Sequence, residues 1–255
     1  MSIVYLIGAG PGDPGLLTVR GQQYLAAADV VLYDHLVPER LLRWARAGAE
    51  QIDVGTAAPQ PLEQEAICYL LAEKAREGKT VARLKWGDPF TFDSGGAEAL
   101  FLHEQGVRFE VVPGIPAGIA VPGYAGIPIT YPGGGDTVTF IRGHENEGKA
   151  DTSIDWANLA RLDGTLVCYA GPQQLPEMMR ALLAHGRSAE DSAAVVYDGT
   201  RQRSKRSREL WRKLPKPPNR PAIGDRRFSW SDASSPCASI YGGSTRGRCS
   251  ASASS

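Results

Sequence analysis

Short runs of β-branched and aromatic residues recur along the first two hundred positions, separated by longer segments whose apolar residues return at helical spacing. That alternation constrains the chain most, because it predicts an α/β architecture: mainly parallel strands joined by crossover helices. Strands are expected at 3–8 (IVYLIG), 29–34 (DVVLYD), 80–88, 107–114, 137–144, 164–171 and 192–200. Helices are expected at 18–27, 63–78, 96–106 and 175–186, the last three stopping at Gly78, Gly106 and Gly186.

The stretch from Pro113 to Gly135 is rich in Gly and Pro and marks a boundary. The expected organisation is two α/β domains: an N-terminal domain over 1–115, a connector over 116–135 and an incomplete C-terminal domain over 136–200. A basic, serine-rich tail over 201–255 follows. After Thr200 no apolar periodicity survives. No fixed-period repeat is present, which excludes solenoids and propellers.

With 42% apolar and 22% charged residues the chain has material for a sizeable core. Its formal charge of zero conceals a division. Ten Arg and three Lys in 201–255 face only Glu209, Asp225 and Asp232, so the tail carries +10 and the first two hundred residues −10. Few aromatics interleave with the tail's cations, which argues against a nucleic-acid partner. No apolar run approaches the ~20 residues a membrane span needs, and the first residues form no secretory leader. Cys68, Cys168, Cys237 and Cys249 show neither CxxC spacing nor a histidine-rich neighbourhood, so neither a disulfide framework nor a metal site is expected. Reduced thiols in a cytoplasmic protein fit this usage.

Chemistry is expected in the loops that leave the strands. GAGPGDP (8–14) follows the first strand and precedes a helix, where a glycine turn presents backbone N–H groups to a ligand. It matches a dinucleotide fingerprint only in part, since Asp13 stands where a third glycine would be. A second loop, WGDPFTFDSGG (86–96), again leaves a strand and again carries Gly-Asp-Pro. Two such loops in one parallel sheet converge on one edge, where open α/β sheets bind ligands. EVVPGIPAG (110–118) begins like a third.

Taken in order, VYLIGAGPGDPGLLT, ADVVLYDHLV, RLKWGDPFTF, EVVPGI, YAGIPIT, TFIRGHE, GTLVCYAG and AVVYDGT resemble the tetrapyrrole methylase family across residues 3–200. The resemblance implies a class III methyltransferase fold with S-adenosyl-L-methionine in the cleft between two α/β domains, a homodimer, and S-adenosyl-L-homocysteine as product. It implies methylation of ring carbons of uroporphyrinogen III to give precorrin-2 for sirohaem or cobalamin. Alternatives are a different corrin intermediate as acceptor, or a module that binds cofactor without turnover.

Carried over residue by residue, the resemblance places Pro11, Trp86, Gly87, Asp88, Thr91, Pro116, Ala117, Ala170 and Gly199 at the cofactor. It makes Asp34 the proton acceptor, which suits carbon methylation: aligned reactants, then a base for the ring proton. Asp34 could instead cap a helix after its strand. Arg20, Arg83, Lys85 and His144 are candidate partners for a substrate bearing eight carboxylates, or else solvated surface charges.

Five positions depart from the family's pattern. Trp86 stands where a glycine is usual, Asp93-Ser94 replaces Gly-Arg, Thr56 replaces a lysine, and Ala170 replaces a methionine. The tail departs altogether. Reading each codon from its third base turns TCN serines into Phe, Leu, Ile or Val codons, and one offset yields a strand-and-helix pattern over 229–253. The tail is therefore expected to be a frameshifted, disordered segment that leaves an uncovered sheet edge.

Overall fold

A computed structural model describes residues 2–55, 58, 61–130, 132, 136–143, 154–171, 174–197, 199–200 and 238–243. The chain divides into two compact units, one ending at Ala120 and taking in Thr200, the other running from Val121 to Gly199 and including the strand at 238–243.

The first unit is a five-stranded, wholly parallel sheet. Its strands are β1 (Ile3–Gly8), β2 (Val30–Tyr33), β3 (Glu50–Asp53), β4 (Thr80–Lys85) and β5 (Phe109–Val112), in the order β3-β2-β4-β1-β5. Helices α1 (Val19–Ala27), α2 (Glu39–Leu42), α3 (Gln64–Arg76) and α4 (Gly95–Glu104) make the crossovers. Strand periodicity sorts the core into two layers. Val4, Leu6, Val30, Leu32 and Val81 pack with Ile67 and Leu71 of α3 and Leu102 of α4. Ile7, Val31, Ala82 and Leu84 pack on the other face with Leu25 of α1 and Leu41 and Leu42 of α2. Each fully buried Leu or Val contributes ~1.5–3 kcal/mol relative to exposure, and sheet and helices are held together mainly by these two layers.

The same alternation governs β4. Arg83 and Lys85 follow Val81 at steps of two, so they point toward α3 and α4, while Ala82 and Leu84 face the opposite layer.

Thr18 caps α1 by accepting from the Gly21 amide at 3.1 Å. The segment after Val112 is not an irregular connector: Ala117–Tyr124 forms helix α5, with Pro122 inside it. The expected 116–135 linker is thus helical over its first half, and the boundary between units falls at Ala120.

The second unit contains β6 (Val138–Arg142), α6 (Trp156–Arg161), β7 (Thr165–Ala170), α7 (Leu175–Ala184), β8 (Ser192–Tyr197) and β9 (Ala238–Gly243). Ile141, Leu166, Cys168, Leu175, Met178 and Val195 form its core. The sheet order is β6-β7-β9-β8. β6 and β7 are parallel, but β9 lies antiparallel between β7 and β8, with Cys168 and Val195 both opposite Ile240. This corrects two expectations. The second sheet is mixed, and a six-residue strand stands in the tail where none was foreseen. β9 completes the ladder between β7 and β8, so the edge expected to lie bare is paired. The remainder of the tail lies outside the described residues.

Candidate functional site

Three loops leave the carboxyl ends of β1, β4 and β5, and their backbones touch. Ala9 donates to the Lys85 carbonyl at 2.8 Å, and Gly10 and Gly87 exchange both N–H···O bonds at 3.1 and 3.0 Å. Glycine is required at the centre. A Cβ on Gly114 would lie 2.1 Å from the Gly87 oxygen and 2.7 Å from Gly8 Cα, and one on Gly8 would lie 2.4 Å from the Gly114 nitrogen. Gly87 also takes φ +70°, which L side chains disfavour. The two loops that carry the Gly-Asp-Pro pattern thus meet in space, through Gly10 and Gly87.

Asp88 locks the arrangement. Its Oδ2 accepts from the Gly114 amide at 3.0 Å, and its Oδ1 accepts from the Phe90 amide at 2.9 Å and the Thr91 hydroxyl at 3.0 Å. Both oxygens are engaged in fixing the second and third loops, and Thr91 is spent on Asp88. Pro11 is buried, and its carbonyl accepts from the Thr200 hydroxyl at 2.7 Å. Trp86 is half-buried beside Gly87, Pro116 is half-buried, and Ala117 opens α5 with 2% exposure. In the second unit Ala170 is fully buried at the end of β7, and a Cβ on Gly199 would meet Val121 at 2.7 Å. His144 and Thr56 lie outside the described residues.

Below these loops, on the α3/α4 face of β4, sits an ionic cluster. Arg83 and Lys85 are not surface charges: their exposures are 1% and 0%. Glu98, in the first turn of α4, is likewise 0% exposed and was not anticipated as a site residue. Its Oε1 accepts from Lys85 Nζ at 2.9 Å, from Arg83 Nε and Nη2 at 3.2 Å and from Gln64 Nε2 at 3.2 Å. Its Oε2 is buried without a donor. Arg83 Nη2 also donates to Asp34 Oδ1 at 2.5 Å. Lys85 Nζ reaches Asp93 Oδ1 at 3.1 Å, the Ser94 hydroxyl at 2.9 Å and Asp34 Oδ2 at 3.8 Å.

Asp34 is no helix cap: α2 starts five residues later, at Glu39 behind Pro38, while the Asp34 carboxylate is held by Arg83. Burial would raise the Glu98 carboxyl, but the Arg83 and Lys85 charges outweigh it and hold Glu98 below its ordinary value. Burial pushes the Asp93 carboxyl up against the pull of Lys85, and the nearby Asp34 charge adds to the rise. Loop 86–94 is tied back onto α4 at Gly95, where any Cβ would lie 2.2 Å from the Pro89 carbonyl. Phe92 in this loop takes φ +54°, uncommon for a bulky residue.

Arg20 belongs elsewhere. It lies on α1, largely exposed, donates to Tyr24 at 2.9 Å and pairs loosely with Glu110, sharing no partner with Asp34. Among the described residues no group of His, Cys, Asp or Glu could hold a metal ion, and no helix is long and apolar enough to cross a membrane.

A parallel α/β unit with glycine-bearing loops interlocked at one sheet edge, and a partly exposed aspartate held by buried cations beside them, defines a small-molecule-binding domain of doubly wound type. The chain belongs to the tetrapyrrole (corrin/porphyrin) methylases, whose family model matches residues 3–214. It is 44% identical over 199 residues to the S-adenosyl-L-methionine-dependent uroporphyrinogen III methyltransferase of Methanosarcina barkeri, covering 78% of each chain. It is 48% identical over 200 residues to siroheme synthase 1 of Pectobacterium atrosepticum, covering 78% of this chain and 41% of that longer protein. Among solved structures, the uroporphyrin-III C-methyltransferase of Thermus thermophilus complexed with S-adenyl homocysteine matches with a TM-score of 0.70 at 33% identity, over 94% of this chain and 96% of that one.

Proposed function

We propose that this chain transfers methyl groups from S-adenosyl-L-methionine to ring carbons of uroporphyrinogen III, giving precorrin-2 on the route to sirohaem or cobalamin. The observation that carries the reading is the interlock of Gly8, Gly87 and Gly114, which brings three loop backbones to one sheet edge with Asp34 held nearby. The names of the relatives support the choice of donor and acceptor.

Pro11, Gly87 and Pro116 would line the donor from the first unit, with Asp88 and Thr91 shaping the loop rather than touching it. Trp86, Ala117, Ala170 and Gly199 are assigned to the donor on the family resemblance. In the transfer, the bond between sulfur and methyl carbon breaks as the new carbon–carbon bond forms. Asp34 then accepts the proton that the macrocycle must release, and the C–H electron pair returns to the ring. Arg83 and Lys85 act on Asp34 rather than on substrate carboxylates, because neither reaches solvent. Arg20 and His144 remain candidates for the carboxylates. The family resemblance also supports a homodimer in the cytoplasm. Residues 201–255 are read as a segment translated out of register on their composition, and the family model's match, over residues 3–214, ends inside that segment. Sequencing the gene around codon 201 tests that point.

Incubating the full chain anaerobically with methyl-labelled donor and uroporphyrinogen III should give a macrocycle carrying label. Transfer to a later corrin instead would select the alternative acceptor. Calorimetric binding of the donor with no transfer to any acceptor would select a binding module.

A further inference from the structure

The cluster on the α3/α4 face contains two cations, Arg83 and Lys85, and three carboxylates, Asp34, Asp93 and Glu98. With all five ionised it carries one negative charge too many, which a single proton neutralises. Glu98 is the member least suited to take that proton, being sealed from solvent and held low by both cations. Asp34 and Asp93 alone reach the surface, with side chains 24% and 22% exposed, and they flank Lys85 Nζ at 3.8 and 3.1 Å.

The groups facing these carboxylates are few. From β4 come Arg83 and Lys85, and from the start of α4 come Ser94 and Glu98. From α3 come the neutral Gln64 amide and Cys68, whose thiol burial pushes up and so keeps protonated. No further cation is described within ion-pair distance of the five.

We infer that Asp93 is a positioning residue for proton acceptance at Asp34: by sharing Lys85 it leaves the cluster one proton short, so that Asp34 remains a competent base between two cations. The inference rests on the reading of Asp34 as proton acceptor. Without the Asp93 charge, Arg83 and Lys85 would be matched by Asp34 and Glu98 alone, and protonating Asp34 would leave a buried excess of positive charge. With it, the C–H electron pair returns to the macrocycle, an O–H bond forms at Asp34, and the cluster passes from a net charge of −1 to zero. No further reactant is needed. Burial raises the Asp93 carboxyl most, and the Asp34 charge across Lys85 adds to the rise.

The test uses the full chain with carboxyl-labelled aspartate. In Asp34→Asn, the Asp93 carbon signal should titrate about one pH unit lower than in the unsubstituted protein, the order expected for losing a like charge at short range. Without any variant, its curve in the unsubstituted protein should have two steps, as coupled sites do. A single-step Asp93 curve that Asp34→Asn leaves in place overturns the inference. In turnover, Asp93→Asn keeps the oxygen that accepts from the Ser94 amide at 2.6 Å but loses the charge. It should move the acid limb of kcat/KM for methyl transfer to lower pH and reduce its plateau about tenfold, with Asp93→Glu restoring both. A lower melting temperature with an unmoved limb assigns Asp93 a structural role only and overturns the inference. Coupled titration together with no methyl transfer to any acceptor would instead defeat the functional reading.

Discussion

Lys85 Nζ and Glu98 Oε1 meet at 2.9 Å with neither side chain reaching solvent, one on strand β4 and the other in the first turn of α4. An ion pair so enclosed is costly to desolvate and strongly destabilising to break. Its value here lies in what it holds: the same two cations of β4 grip Asp34, the aspartate at the surface of the site.

Asp34→Asn should reduce methyl transfer by ~10²–10⁴-fold, the usual contribution of a positioned general base. Donor affinity should be unchanged, because the interlocked glycine loops make no use of the Asp34 side chain. Steady-state kinetics beside calorimetric titration with S-adenosyl-L-homocysteine would check both halves, and equal losses in binding and turnover would count against the assignment.

Arg83→Met should cost ~3–5 kcal/mol of unfolding free energy, since it leaves the buried Glu98 carboxylate with a single cation and strips Asp34 of its 2.5 Å partner. Urea unfolding followed by circular dichroism measures it. A change under 1 kcal/mol, the range of exposed pairs, would mean that water reaches the cluster.

Gly114→Ala should lower stability by ~1–3 kcal/mol through overpacking and abolish measurable donor binding, because its Cβ would fall 2.1 Å from the Gly87 oxygen. Gly96→Ala is the contrast: nothing lies within 4 Å of its Cβ, and in the first turn of α4 alanine should gain up to ~0.5–1 kcal/mol over glycine. Melting curves of the two variants should therefore shift in opposite directions.

Acid stability follows from the signs at Glu98 and Asp93. The Glu98 carboxyl lies below its ordinary value when folded, so it contributes stability that is complete above the unfolded value of ~4.3 and is lost as pH falls through the lower folded one. Asp93 acts oppositely, since its raised carboxyl takes up a proton in the folded chain first and favours the fold as pH drops from its raised value toward ~3.9. Glu98→Gln should thus flatten the loss below pH 4, and Asp93→Asn should remove the gain above it. Unfolding free energies measured between pH 3 and 7 distinguish the two.

Much of the frame was legible in the residues. The strand IVYLIG occupies the span its pattern predicts, the helices at 64–76, 95–104 and 175–184 stop at their glycines, and the loops after β1, β4 and β5 converge because parallel strands end on one side. β3 was not legible, since EQID is polar and sits at the sheet edge, where burial imposes no apolar pattern. Nor was β9, whose ASIYGG offers one apolar pair among small residues and gains its place from the ladders of β7 and β8.

The order of residues by itself determined the α/β class, the loops that matter and the shared face of Arg83 and Lys85, because local periodicity sets which side chains point the same way. What lies opposite that face was decided by the tertiary structure alone. Only when α4 packs across β4 does Glu98 arrive to enclose both cations, turning two apparent surface charges into buried supports for Asp34. Burial and charge pairing are properties of contacts between segments distant in the chain, and neither is written in the spacing of residues along one of them.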